Sequence, residues 1–160
     1  MSTPVTIAPA TPADVPTVLS FIRELAAYEK LLDRVSATEA SLQRDLFGPR
    51  PYAEVLMGRL DGRAVGYALF FHSYSTFLAR PGIYLEDVYV RQAYRGRGVG
   101  KALLRAVAQV ARERGCGRIE WSVLDWNKPS IAFYLSLGAK PLDEWTTYRL
   151  DEAGIASLAK

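Results

Sequence analysis

Arg95-Gly96-Arg97-Gly98-Val99-Gly100 constrains this chain more than any other stretch, because of what flanks it. Ile83 to Val90, just before it, is apolar and aromatic with two acids inside, and reads as a strand. From Val99 onward, apolar residues recur at Val99, Leu103, Val107 and Val110, which is one face of a helix. Three glycines in five residues let the backbone turn sharply and let a ligand come close to it. A helix beginning there directs unpaired N–H groups and the positive end of its dipole into the turn. Arg91, Arg95, Arg97 and Lys101 add positive charge around it. The turn reads as a site for a pyrophosphate, whereas Arg105, Arg112 and Arg114 read as a solvated helix face.

The rest of the chain supplies a frame for that unit. Val5 to Ala8 forms a short first strand. Thr11-Pro12-Ala13-Asp14 opens a helix whose buried stripe is Val15, Val18, Ile22 and Leu25. Ser36-Ala37-Thr38-Glu39 has the form of a capping box for a short second helix ending near Gly48. Tyr52 to Leu60 and Arg63 to Phe71 are strands joined by the hairpin signal Asp61-Gly62, and Ser75 to Gly82 is a loop. Gly115 and Gly117 end the long helix. Arg118 to Leu124 is expected as a strand, Ile131 to Leu137 as a short helix stopped by Gly138, and Thr146 to Leu150 as a last strand. The crossover from Ile83 to Leu124 must be parallel, so the expected fold is one α/β domain over residues 1–160 with a mixed sheet.

Composition excludes several function classes. The 160 residues suit a single core, and the net charge of +3 is too mild to argue for nucleic acid. No apolar run is long enough to span a membrane, and MSTPVTIAPA lacks the pattern of a secretory signal. One cysteine, Cys116, and one histidine, His72, leave no multi-cysteine or histidine metal site. A cytoplasmic protein without a metal, a nucleic-acid partner or a membrane is expected. Cys116 and Trp121 read as packing residues; Trp126 and Trp145 suit core, interface or substrate mouth.

Two familiar glycine motifs fail at the turn. A Walker loop needs a glycine where Arg95 stands and a Ser or Thr where Ala102 stands, and the dinucleotide fingerprint needs a wider spacing than Gly96-x-Gly98-x-Gly100. The pattern present, Arg95-x-x-Gly98-x-Gly100 after Tyr84-Leu85-Glu86-Asp87-Val88-Tyr89-Val90 and before Val123-Leu124-Asp125-Trp126-Asn127, resembles the acetyl-CoA motif of the GCN5-related N-acetyltransferase (GNAT) superfamily. With Ile22 to Glu29 and Ser75-Thr76, the likeness covers most of the chain. It runs to the diamine (spermidine/spermine) acetyltransferase group, nearer its thialysine-acetylating branch. The resemblance implies a largely antiparallel mixed sheet splayed between its fourth and fifth strands, flanked by helices. It also implies acetyl-CoA as co-substrate, a small-molecule amine as acceptor, and a homodimer.

It implies roles for single residues as well. The cofactor would be held by Arg95, Gly96, Arg97, Gly98, Val99, Gly100 and Lys101 at its pyrophosphate, and by the strand edge Val88, Tyr89, Val90 along its pantetheine. Asn127 and Ser130 match further cofactor contacts, although Asn127 suits a helix cap equally in kind. Tyr134 matches the general acid that protonates the departing thiolate, a task for which an ordinary tyrosine pKa of about 10 is adequate; packing among aromatics is its other reading. Glu86 matches an acid that binds the amine and draws off its proton through water. Neighbours on a strand face opposite ways, so Glu86 and Asp87 share a face only if the strand bulges; Glu86 is the one assigned to substrate. Tyr28, Glu29 and Glu144 match the amine pocket. The group's additional acid and tryptophan before the fourth strand are replaced here by Ser75 and Phe77, which favours a small amine over a long polyamine.

Carboxylates attract an ammonium but hold it protonated. An amine with a pKa of about 10.4 is only about a thousandth neutral near pH 7.4, so activity is expected to rise toward alkaline pH. Two other functions compete: acetylation of protein amines, and a non-catalytic acyl-CoA-binding module.

Overall fold

The computed structural model describes residues 4–160, which fall into two compact units that divide after Ser122. In the first, Val5–Pro9 (β1), Glu54–Leu60 (β2), Arg63–Ser75 (β3), Arg80–Val90 (β4) and Ile119–Glu120 (β5) form one sheet in the order β1-β2-β3-β4-β5. Every pairing is antiparallel except β4 with β5. The β2–β3 hairpin turns on Asp61 and Gly62, both at positive φ, as a two-residue turn matched to strand twist requires.

Helices cover both faces. Val99–Glu113 (α3) lays Val99, Leu103, Val107 and Ala111 against Leu56, Leu60, Phe70, Ile83 and Leu85. It ends in a Schellman pair, Gly115 N–H to Arg112 O and Cys116 N–H to Ala111 O. Val15–Tyr28 (α1) and Glu39–Phe47 (α2) cover the opposite face, where Val15, Val18, Leu19, Phe21, Leu42 and Leu46 pack on Val55, Met57, Tyr67 and Tyr89. Ile22 and Leu25, expected in the buried stripe, are only partly buried at its edge.

Several expected boundaries are corrected. Pro12–Asp14 is a 3-10 turn preceding α1, with Thr11 N–H donating to the Asp14 carboxylate at 2.9 Å. The cap of α2 is Thr38 rather than Ser36: Thr38 Oγ1 accepts from Ser41 N–H at 3.1 Å, and Ser41 Oγ accepts from Thr38 N–H at 3.0 Å. Strands β3 and β4 take half of the loop expected over Ser75 to Gly82, leaving Thr76 to Ala79 as the turn. β5 is two residues long, not seven. Its ladder consists of Ile83↔Ile119 and Tyr84↔Glu120. Among the described residues, nothing in the sheet pairs with that edge of β4 beyond Tyr84, which is the splay expected between the fourth and fifth strands.

The second unit holds Lys128–Ser136 (α4) and Glu152–Leu158 (α5). Thr146 to Leu150 is not a strand; the segment leads instead to Asp151, whose carboxylate caps α5 by accepting from Gly154 N–H at 2.9 Å. A strand needs a partner for its backbone groups, and this segment has no ladder among the described residues.

Candidate active site

The site begins with a defect in β4. Asp87 is opposite Leu69 and Leu85 is opposite Phe70, so Glu86 is an extra residue without a partner on β3. Such a bulge breaks the alternation of faces. Leu85 and Val88 both belong to the core beneath α3, and the two acids between them share the other face. Asp87 accepts a hydrogen bond from Tyr67 Oη at 2.6 Å. Glu86 is exposed, yet close enough to raise the pKa of Glu29 at the end of α1. Asp87, which the sequence does not assign to substrate, therefore joins Glu86 on one acidic face.

The electrostatics of that face are self-opposed. Partial burial pushes the Glu29 carboxyl up, and the charges of Asp87 and Glu86 push it further. Burial also raises Asp87, against the stabilising hydrogen bond from Tyr67. Tyr67 has no exposed surface, and burial with the neighbouring carboxylates lifts its own pKa well above the ordinary tyrosine value. Like charges held together in this way favour a cation arriving from outside. Among the described residues no group of three or more His, Cys, Asp or Glu is placed to hold a metal ion.

Beside it, cations are absorbed by the fold. Arg91 pairs with Glu24 at 3.0 Å, and Tyr89 Oη donates to the same carboxylate at 3.1 Å. The Arg95 side chain folds back from the turn: its Nε donates to Val90 O at 3.0 Å, and its guanidinium lies 5.1 Å from the Tyr28 ring centroid and 5.8 Å from that of Tyr89. The Arg95 N–H is used as well, donating to Gln92 O at 3.3 Å. Arg97 stacks on Tyr94 at 5.6 Å. The Arg95 guanidinium is thus drawn away from the turn, and the backbone of the turn carries the anion-binding geometry.

That backbone has the required form. Gly96 and Gly98 have φ of 78° and 82°, and Gly98 immediately precedes α3. The first helical bond runs from Ala102 N–H to Gly98 O at 3.0 Å, so the N–H groups of Val99, Gly100 and Lys101 point out of the helix start. Gly100 is different: a Cβ there would meet only Val90 Cγ2, at an ordinary 3.7 Å. Nothing in the fold demands a glycine at Gly100, whereas a ligand approaching the helix start closely would. The turn and the edge of Val88, Tyr89 and Val90 that no strand among the described residues pairs with fit a phosphate-bearing, amide-containing chain such as CoA.

The other expected residues lie in the second unit. Asn127 is buried and caps α4, its Oδ1 accepting from Ser130 N–H at 3.4 Å. Tyr134 is partly buried on α4, tilted against Phe133 with centroids 5.9 Å apart. Glu144 is exposed in a turn closed by Trp145 N–H to Leu142 O. His72 contacts Arg114 at 3.3 Å beside the Arg114–Glu54 pair, on another part of the sheet.

A sheet opened beside its fourth strand, an anion-directed turn and an acidic face together suit a CoA-dependent transferase. Comparison gives the family. A profile of the acetyltransferase (GNAT) family matches residues 21–139. Thialysine N-epsilon-acetyltransferase of Bos taurus is 42% identical over 166 aligned positions, covering 97% of each chain. L-ornithine N5-acetyltransferase of Arabidopsis thaliana is 33% identical, covering 94% of this chain and 86% of that protein. An integron cassette protein from the mobile metagenome of V. cholerae superposes with a TM-score of 0.81 at 25% identity, over 100% of this chain and 99% of that one. The chain belongs to the acetyltransferase (GNAT) family and is an N-acetyltransferase that uses acetyl-CoA as co-substrate.

Proposed function

We propose that this enzyme acetylates a primary amine of a small cationic molecule, a diamine, a polyamine or a thialysine-like amino acid, by direct attack in a ternary complex. The observation that carries this reading is the bulge at Glu86, which turns two carboxylates of one strand toward Glu29. An ammonium is the ligand that relieves such repulsion, and relatives act, by their names, on thialysine and ornithine.

When bound, acetyl-CoA supplies the acetyl group as a thioester open to an amine lone pair. Val88, Tyr89 and Val90 would hold the amide chain; Gly96, Arg97, Gly98, Val99, Gly100 and Lys101 would hold the pyrophosphate with their backbone, the Arg95 side chain bracing the strand end. Asn127 and Ser130 would add contacts. Tyr28, Glu29 and Glu144 would contact the amine. Glu86 would take the proton leaving the amine, through water, and Tyr134 would give a proton to the departing sulfur. Residues 1–160 act as one acetyltransferase domain in a homodimer. A cytoplasmic location agrees with the single unpaired Cys116.

A thiol-release assay with acetyl-CoA and spermidine, thialysine, lysine or a peptide N-terminus tests the reading. Small cationic amines are expected to turn over and the peptide to fail, with Tyr134→Phe lowering kcat about a hundredfold. Preference for the peptide would make the enzyme a protein acetyltransferase. Equal, slow release by wild type and Tyr134→Phe with every amine would leave an acyl-CoA-binding module.

A further inference from the structure

We propose that Tyr67 is a positioning residue for the amine: its hydroxyl, fixed inside the sheet's α1-facing core, holds the second carboxylate of the bulge, Asp87, ionised beside Glu29 and Glu86. This rests on the reading of the acidic face as the amine's seat. Tyr67 is fully buried on β3, with its ring stacked on Phe21 at 5.7 Å, so the hydroxyl has little freedom. It donates to Asp87 Oδ2 at 2.6 Å, the length of a hydrogen bond to a charged oxygen. A partly buried carboxylate without a donor would take up a proton and cease to attract an ammonium. The bulge thus needs Tyr67: the extra residue turns Asp87 inward, and the phenol keeps it an anion there.

The charged and titratable groups on this face include Glu24 and Tyr28 from α1 and Glu29 just past it, Tyr67 from β3, Glu86 and Tyr89 from β4, and Arg91 and Arg95 after it. Among the described residues, α2 meets this core through Leu42 and Leu46, and β2 through Val55 and Met57. Glu24 is bonded to Arg91 and Tyr89, and the Arg95 guanidinium lies over Tyr28 and Tyr89. Asp87 and Glu86 oppose ionisation of Glu29, while burial opposes ionisation of Asp87 and the hydrogen bond from Tyr67 favours it.

The test is calorimetric binding of thialysine to the CoA-bound full-length enzyme between about pH 5 and about pH 8.5, for wild type, Tyr67→Phe, Asp87→Asn and Glu86→Gln. Folding is checked by CoA affinity and Tm. The Asp87 carboxyl is raised by burial, so losing its donor raises it further, and amine affinity should fail at higher pH as acid is added. Tyr67→Phe should bind thialysine about tenfold more weakly than wild type at the acid end and nearly as well at the alkaline end. Asp87→Asn should be weak throughout. A Tyr67→Phe curve parallel to wild type at every pH, with Asp87→Asn weakened, overturns the role of Tyr67 alone. Wild-type binding by both Asp87→Asn and Glu86→Gln overturns it together with the acidic-seat reading. If Tyr67→Phe fails to fold, Asp87→Asn decides in its place, since the proposal requires Asp87 to bind the amine as an anion.

Discussion

At the scale of the residue, the acidic face works against stability. Glu29 has its carboxyl raised in the folded protein, first by burial and then by Asp87 and Glu86. A raised acid favours the folded state fully below its unfolded pKa, and that contribution is lost as pH rises through the folded value. At neutral pH the charged Glu29 therefore opposes folding. Glu29→Gln should raise Tm by about 2 °C at pH 7, a modest figure because the group is partly solvated, and by almost nothing near pH 4. The same variant should raise the KM for a cationic amine. Differential scanning calorimetry at the two pH values checks the first expectation, and a lower Tm at pH 7 would refute it. Glu29 and Glu86 were legible in the sequence because both sit in recognisable motifs. Asp87 and Tyr67 were not, since their meeting depends on a one-residue slip against Leu69 and Phe70 that no local pattern records.

At the scale of the element, the end of β4, the turn and the start of α3 were readable almost to the residue, because glycine punctuation and a sustained helical stripe are local signals, while β4 begins three residues before the expected Ile83. The glycines nevertheless serve different ends. Gly98 is required by its φ of 82°, and an alanine there costs about 1 kcal/mol or more. Gly100 sits inside the first turn of α3, where alanine is preferred by about 1 kcal/mol. Gly98→Ala should thus lower Tm, while Gly100→Ala should raise it and still weaken CoA binding about tenfold or more, by putting a methyl group where the pyrophosphate approaches. Thermal melts with and without CoA separate the two. A Gly100→Ala variant that binds CoA as wild type would remove the ligand as the reason for that glycine. Elements decided by distant partners were read less well. β5 keeps only two paired residues, and Thr146 to Leu150 has the composition of a strand with no neighbour to pair with.

At the scale of the whole molecule, the question is what covers the apolar side chains of residues 123–160. Leu135, Leu137, Leu142, Trp145, Tyr148, Leu150, Ile155 and Leu158 are all exposed, and among the described residues Asn127 is the one buried side chain of that unit. Tyr148 is 91% exposed and Trp145 75%, well beyond the scattered exposure a surface tolerates without consequence. Leu, Trp and Tyr in one short unit make up the apolar, aromatic composition of an interface core rather than of a rim. A second copy of the chain, related by a two-fold axis, is the economical way to bury it. Light scattering should accordingly give twice the 17.7 kDa of one chain. Tyr148→Asp combined with Leu150→Asp places two charges in that surface and should shift the mass toward the monomer, with a lower Tm that depends on protein concentration in wild type but not in the variant. A wild-type mass of one chain, or a double variant that keeps the doubled mass, would send these residues to another partner.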